Sequence, residues 1–480
     1  MDFNEATSLA KAAGSDQLSL VLCRNSQGAE VRGTLHRLTR YATVFEVYNP
    51  YSVLQLSEVL NDFRITLNDR VVYSGRAVVS SLVNTGIMLI LEASLSEEGW
   101  VDVDLFSPMR QGDRLREEFG NFLLETEKVF RVTPDFKVVV ADMQTLLGDL
   151  KRWMEQAELG VRSMPAGDRH EAEREILHKL EDPIVPVMLP LMRRFEDTAG
   201  IIPLEIQPVH RSYIKRQLHP LVLCAPFVYR TFAKPLGYAG DYEMVSMMLR
   251  DPYEGSTLFA KLINKLYLEI PPVLAHRNRI RYLTERLHEE VERAAAQGRK
   301  ARIYNLGCGP AQEIQNFLSI DDLSSEMDAT LLDFNDETLD NTSQTLEAIR
   351  QRYQRTCTIH LEKKSVHQLL KEGGRVISSA KYDVVYCAGL FDYLSDRICR
   401  RLLEIFYDLV APGGLLIATN VHPSNPWRNW MEYLAEWHLV YRDEDQFMRL
   451  APTKAPAGAT VVKADETGVN IFMEVRKPPL

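Results

Sequence analysis

Gly307 and Gly309 sit in the run Ile303-Tyr304-Asn305-Leu306-Gly307-Cys308-Gly309-Pro310, where an apolar strand gives way to the helical pattern Ala311–Leu318. Glycine tolerates positive φ and has no Cβ, so such a turn lets a ligand approach bare backbone. The helix start behind it offers free N–H groups and partial positive charge to a carboxylate or phosphate. Asp333 ends the next apolar run, Asp328–Asp333. An acid at that place can accept both hydroxyl protons of a ribose. Glycine turns of this kind serve many nucleotides, and the downstream strands and turns decide between them.

These residues need a sheet to hold them. From Arg302 strands and helices alternate to the C-terminus, which predicts a parallel, doubly wound sheet. Asp328–Asp333 is its second strand, Glu337–Arg352 a helix, and Thr356–Leu361 the third strand. Lys381–Gly389 supplies the fourth. Leu409–Asn420 supplies a helix end, a Pro-Gly-Gly turn and the fifth, with Trp437–Tyr441 and Val469–Val475 as the last two. Gly413 and Gly414 read as turn formers rather than ligands.

Upstream, the stretch Phe232–Met244 places two glycines, a proline and two tyrosines between helical stretches. Such residues break helices. A packed helix-to-helix turn would explain them, and so would a lid with Lys234, Tyr238 and Asp241 facing a pocket. Helical periodicity covers Leu115–Phe130, Asp135–Val161, Asp168–Ala199 and Pro208 to Gln297. Short alternating runs fill the first hundred residues: Leu18–Cys23, Glu30–Leu35, Thr43–Val47, Asp62–Leu67, Arg70–Tyr73, Gly75–Val83 and Gly86–Leu91. Their even spacing predicts a small antiparallel barrel or sandwich. The expected domains are a β barrel at 1–105, a helical region at 106–205, a helical lid and substrate region at 206–298, and the α/β domain at 299–480. The fold class is thus multidomain, α+β followed by α/β.

Composition narrows the function. The chain has 480 residues, 45% hydrophobic and 25% charged, which is ordinary for globular proteins. A net charge of −10 argues against nucleic acid, which needs a basic footprint. Cys23, Cys224, Cys308, Cys357, Cys387 and Cys399 show no paired metal-ligand spacing, so reduced thiols are expected and no metal. No apolar run is long enough to span a bilayer, and the first thirty residues do not resemble a secretory signal. The expected location is cytoplasmic.

In order and spacing, NLGCGP, Asp333, YDVVYCAG and LVAPGGLLIATN resemble a class I S-adenosylmethionine-dependent methyltransferase over about residues 300–480. The resemblance implies a Rossmann-like seven-stranded sheet with its last strand antiparallel, and S-adenosylmethionine as cofactor. It implies that Gly307 and Gly309 contact the methionine part, that Asn305 is also among the cofactor-binding residues, and that Asp333 holds the ribose. Phe334 and Asn335 would lie near the adenine. Ser365 and Val366 stand where the family often has an acid. Cys387 to Phe391, Gly389 included, would border the methyl-transfer site. A narrower resemblance runs from about residue 205 to the end. LHPLVLCAPFVYRTFAKPLGYAGDYEMV, Asp251–Gly255, His276–Arg279, Asn420–Pro426 and Gly468–Val475 are similar to bacterial proteins of 3-hydroxypalmitic acid methyl ester biosynthesis. That implies methyl transfer to the carboxyl group of a hydroxy-fatty-acid-like or other small acidic acceptor.

A carboxylate acceptor needs no general base, whereas a hydroxyl acceptor would use one, with His422, Tyr238, Asp241 and Asp392 as the catalytic candidates. Lys234, Arg277, Arg279 and Tyr393 are the candidates for substrate binding, and either arginine could instead hold the cofactor's methionine carboxylate. Leu35–Val47 and Gly75–Val79 faintly resemble a PilZ barrel, whose family binds cyclic di-GMP through an Arg-x-x-x-Arg motif. No two arginines in the first hundred residues have that spacing, so an interaction or scaffolding role is expected. The helical region 110–200 is a candidate for homodimerisation or for carrying an acyl chain. The rival functions are a non-catalytic sensor or adaptor responding to the cofactor or to cyclic di-GMP, and a methyltransferase acting on a protein or non-lipid metabolite.

Overall fold

The structure is a computed structural model and describes residues 20–47, 54–67, 70–84, 89–101, 132–372 and 381–479. The helix expected at Leu115–Phe130 lies outside them. The chain divides into two compact units, Met1–Leu54 with Glu58–Lys128, and Gln55–Ser57 with Val129–Leu480.

In the first unit, β1 (Leu20–Arg24), β2 (Glu30–Leu38), β3 (Ala42–Val47), β4 (Val59–Leu67), β5 (Arg70–Asn84) and β6 (Leu89–Leu95) close into an antiparallel barrel ordered β1-β2-β3-β6-β5-β4. Alternation puts Val21, Phe45, Phe63, Ile65, Tyr73 and Leu91 inside, each fully buried. The Phe63 ring meets Phe45 at 5.6 Å and Tyr73 at 6.1 Å, both edge-on. Closure pairs every strand on both sides. The two runs expected at Arg70–Tyr73 and Gly75–Val83 are one strand, because Gly75 lies within the ladder opposite Phe63.

The second unit opens with α1 (Pro134–Arg162) and α2 (Arg169–Gly200). Helix α2 runs through Pro183, Pro186 and Pro190, all on its exposed side. There the carbonyls that lose their N–H partners can reach water. α3 (Gln207–Val222), α4 (Pro226–Ala233), α5 (Tyr242–Met247), α6 (Leu258–Leu268) and α7 (Pro271–Ala295) come next along the chain. The insert expected between helices is the connection from α4 to α5.

The sheet comprises β7 (Ala301–Leu306), β8 (Met327–Asp333), β9 (Thr358–Lys363), β10 (Tyr382–Cys387), β11 (Val410–Val421), β12 (Thr460–Ala464) and β13 (Asn470–Arg476), in the order β12-β13-β11-β10-β7-β8-β9. β7 to β11 pair in parallel, and β13 lies antiparallel to both β11 and β12. The crossovers are α8 (Gln312–Ile320), α9 (Asp336–Arg352), α10 (Val366–Glu372) and α11 (Asp396–Leu409). After β11 come α12 (Arg428–Leu434) and α13 (Glu444–Met448). One sheet face packs Leu287, Val291, Ile314 and Phe317 of α7 and α8, and the other packs Leu402, Leu403 and Phe406 of α11.

One strand expectation is corrected. Trp437–Tyr441 is not a strand, and the sixth strand is Thr460–Ala464. The Trp437–Tyr441 backbone is instead pinned across the ends of β10 and β11. Val440 N donates to Asp392 O at 2.7 Å, and Asn420 Nδ2 donates to Val440 O at 2.9 Å.

Candidate functional site

The glycine turn joins β7 to α8. Gly307 and Gly309 have φ of 72° and 51°, and the N–H groups of Gly307 and Cys308 both donate to Leu332 O, at 2.8 and 2.9 Å. A residue with a Cβ would be strained at either φ. Asp333, at the end of β8, accepts from Gly309 N at 3.1 Å (Oδ2) and from Asn335 N at 3.1 Å (Oδ1). Burial raises its pKa, and the N–H groups of Asn335, Gly309 and Phe334 oppose the shift. Asn335 caps α9, its Oδ1 accepting from Thr338 N at 2.9 Å. Thr342 donates to Gly309 O at 2.7 Å, so α9 also holds the turn.

The insert reaches this place. Tyr238 packs on Phe334 at 5.0 Å, and its hydroxyl lies 3.4 Å from Thr338 Oγ1. Burial raises the Tyr238 pKa, with the Asp333 charge adding to it. The other two lid candidates face elsewhere. Lys234, in a left-handed conformation at the end of α4, donates its Nζ to Ala435 O at 2.8 Å. Asp241 Oδ1 accepts from Arg230 Nε and Met244 N, each at 2.8 Å, which makes it a helix cap and ion pair.

At the end of β10, Gly389 takes φ 83° and donates its N–H to Thr419 Oγ1 at 3.0 Å. Leu390 faces Gly307, 3.6 Å from where a Cβ would stand there. Cys387 is buried in the core behind the loop, and burial pushes its thiol well up. Asp392 is buried, and its Oδ1 accepts from Val421 N at 2.7 Å. Burial raises its pKa, while Arg279 is the largest influence lowering it. Tyr393 Oη accepts from Trp437 Nε1 at 2.9 Å and lies 3.2 Å from where a Cβ on Gly240 of the insert would stand. Among the described residues nothing accepts the Tyr393 hydroxyl proton.

Arg279, on α7, lies in the same region. Its guanidinium nitrogens are 2.9 and 3.0 Å from a Cβ built on Gly389; burial lowers its pKa, with Asp392 the largest electrostatic influence opposing that. Its neighbour Arg277 is bound elsewhere, by Met248 O at 2.7 Å and Glu269 at 3.2 Å. His422 has both ring nitrogens engaged, Nδ1 with Ser424 at 2.7 Å and Nε2 with Glu444 at 3.2 Å. Ser365 caps α10: its Oγ accepts from Gln368 N at 3.2 Å, and its own N–H donates to Gln368 Oε1 at 2.8 Å. Val366 is buried beneath it.

Sequence reasoning missed three residues. Glu313, in the first turn of α8, is buried and accepts from Tyr386 Oη at 2.6 Å. Its signal is an acid beside Ile314 and Phe317 on a face that packs against the sheet. Arg442 is buried and donates to Phe391 O (3.0 Å), Leu394 O (2.6 Å) and Asn420 Oδ1 (2.6 Å), which fixes the loop after β10. Trp437, in the segment expected as a strand, instead orients Tyr393.

No family model and no curated protein matches the chain. Among solved structures, a possible exported protein from Bordetella parapertussis aligns with TM-score 0.41 and 17% identity, covering 63% of this chain and 98% of its own. Magnesium protoporphyrin IX methyltransferase from Synechocystis PCC 6803 with bound SAH gives 0.31 and 10%, covering 42% and 84%. The N-methyltransferase NodS from Bradyrhizobium japonicum WM9, in complex with S-adenosyl-L-homocysteine, gives 0.30 and 16%, covering 49% and 98%. At TM-scores this low the likeness establishes no shared fold, and the architecture stands on the strand order itself.

Proposed function

We propose that the second unit binds S-adenosylmethionine and transfers its methyl group to a small acidic acceptor. The carboxyl group of a hydroxy-fatty-acid-like molecule is the preferred target. The observation that carries the cofactor reading is Asp333 bonded to the glycine turn at the C-terminal edge of this sheet, with the tilted ring pair of Phe334 and Tyr238 beside it. Ligands of open α/β sheets bind at that edge. The residues fit the group: Asp333 suits ribose hydroxyls, Phe334 and Tyr238 an adenine face, and the buried acceptor Asn305 Oδ1 an ammonium.

When bound, the cofactor supplies an electrophilic methyl on a good leaving group. The chain's own part is to orient the acceptor and exclude water. Leu390 and the buried Phe391 give the site an apolar wall, and Tyr238 covers it from the insert. Tyr393, oriented by Trp437, is the donor for an acceptor oxygen. A carboxylate needs no proton removed. For a hydroxyl acceptor the base would be Asp392, because its raised pKa favours taking a proton and His422 is tied to Glu444. The acceptor class rests on the sequence resemblance over residues 205–480. Calorimetry with S-adenosylhomocysteine tests the cofactor reading, and labelling of cell extract with methyl-labelled cofactor identifies the acceptor.

A further inference from the structure

Helix α2 is buried on one side only. Leu177, Met192, Phe195 and Ala199 are its buried residues, and the helix packs against α1, α6 and α12. Asp182, Val185, Pro186, Leu189 and Arg193 fall within about 100° of arc on the opposite side, at about 3.6 residues per turn. All of them are exposed. That side of a surface helix ordinarily carries charge. Here Pro183–Met192 contains no polar residue, and Val185, Val187 and Leu189 are 38%, 49% and 37% exposed. A contiguous exposed apolar surface with a polar rim marks an interaction site, where scattered single residues would not.

The rim identifies the partner. Asp182 and Arg193 bracket the apolar run, and neither has an ion partner among the described residues. Arg194, beside them, is by contrast engaged by Asp142 at 2.7 Å. Asp182 and Arg193 are equidistant along the chain from the point between Val187 and Met188, and so are Pro186 and Leu189. A second copy of α2 laid antiparallel across that point brings Asp182 of each copy level with Arg193 of the other, and sets Pro186 against Leu189. One two-fold operation forms both ion pairs, so the acid–apolar–base order of this face is complementary to itself. A lipid surface is a poorer match, because the face carries an acid and the chain a net charge of −10.

We propose that the chain forms a two-fold homodimer through the exposed face of α2, with the two helices antiparallel and centred between Val187 and Met188. Asp182 and Arg193 pair across the interface, and Val185, Pro186 and Leu189 form its apolar centre. Pro183, Pro186 and Pro190 suit such a face, because their rings extend the apolar surface and lose no rotamer freedom on contact.

Sedimentation velocity of the full chain over a concentration series tests it. Wild-type protein should run at twice the chain mass and dissociate on dilution. Leu189→Glu places an unpaired charge at the centre from both copies and should weaken the dimer by about 100-fold or more. Asp182→Arg and Arg193→Asp each set like charges face to face twice, and each should weaken it by about 10-fold. The double exchange Asp182→Arg with Arg193→Asp should return affinity to within about threefold of wild type. Circular dichroism matching wild type shows that a variant is folded, and the charge exchange at exposed positions decides the matter should Leu189→Glu not fold. A wild-type monomer throughout the series overturns the proposal, as does a dimer that the single reversals leave unweakened or the double exchange fails to restore. Monomeric wild-type protein that sediments with phosphatidylcholine vesicles gives the face to a lipid surface and likewise overturns it.

Discussion

Asp333 Oδ2 accepts the backbone N–H of Gly309 at 3.1 Å, so the acid ending one strand braces the glycine turn at the end of its neighbour. The same carboxylate holds Asn335 at the start of α9. On the proposed cofactor reading the ligand-facing acid and this structural brace are one group, and its removal should be felt in both respects. Asp333→Ala should weaken S-adenosylhomocysteine by about 10- to 100-fold and lower stability by about 1–3 kcal/mol, since charge-assisted bonds are lost. Calorimetry and thermal melting read the two effects. Unchanged affinity would refute the ribose assignment.

Tyr238 belongs to the insert and Phe334 to the sheet, and their rings meet at 5.0 Å. Aromatic pairs of this kind contribute about 0.5–1.5 kcal/mol beyond area burial. Tyr238→Ala should weaken S-adenosylhomocysteine several-fold, whereas Tyr238→Phe should bind it like wild type. If the alanine variant binds as well as wild type, the insert is no cover for the cofactor.

Tyr393 receives the Trp437 indole N–H, which leaves its own proton for an acceptor oxygen. Tyr393→Phe should preserve S-adenosylhomocysteine affinity and reduce methyl incorporation into extract-derived product by about tenfold, the value of one hydrogen bond in a dry site. Equal losses in binding and incorporation would show that the residue serves the cofactor instead.

Glu196 on α2 accepts from Asn429 N at 2.9 Å and Trp430 N at 2.7 Å, and so caps the first turn of α12. Burial pushes its pKa from 4.5 up to about 7, with the Glu432 charge adding to the shift and the N–H groups opposing it. A carboxyl with its folded pKa above its unfolded value binds its proton more tightly when folded. Its stabilisation is therefore complete below the unfolded pKa and is lost as pH rises to the folded one. The melting temperature should fall between about pH 4.5 and 7, and Glu196→Gln should flatten that part of the profile. An unaltered profile in the variant would assign the dependence to other groups.

Much of this is legible in the sequence, for identifiable reasons. The central strands of the sheet are apolar on both faces, so continuous runs such as Tyr382–Cys387 announce themselves. The glycine turn and Asp333 are local signals, one of backbone freedom and one of an acid at a strand end. The sixth strand is not legible. Thr460–Ala464 lies at the sheet edge with Val461 half exposed, while Trp437–Tyr441 is apolar because it covers the ends of β10 and β11. Composition cannot separate burial in a ladder from burial across one. Asp241 and His422 read as free chemistry in the sequence, yet in the fold Arg230 and Glu444 engage them. Glu313 and Arg279 influence each other only because α8 and α7, which carry them, pack on one sheet face.

An adenosyl site at the Gly307–Asp333 edge must be observable in solution. Titration of S-adenosylhomocysteine into the wild-type protein by calorimetry tests it most directly. Saturable binding at one site per chain is expected, weakened by Asp333→Ala. No heat of binding from S-adenosylhomocysteine or S-adenosylmethionine, with the protein folded by thermal melt, would contradict it.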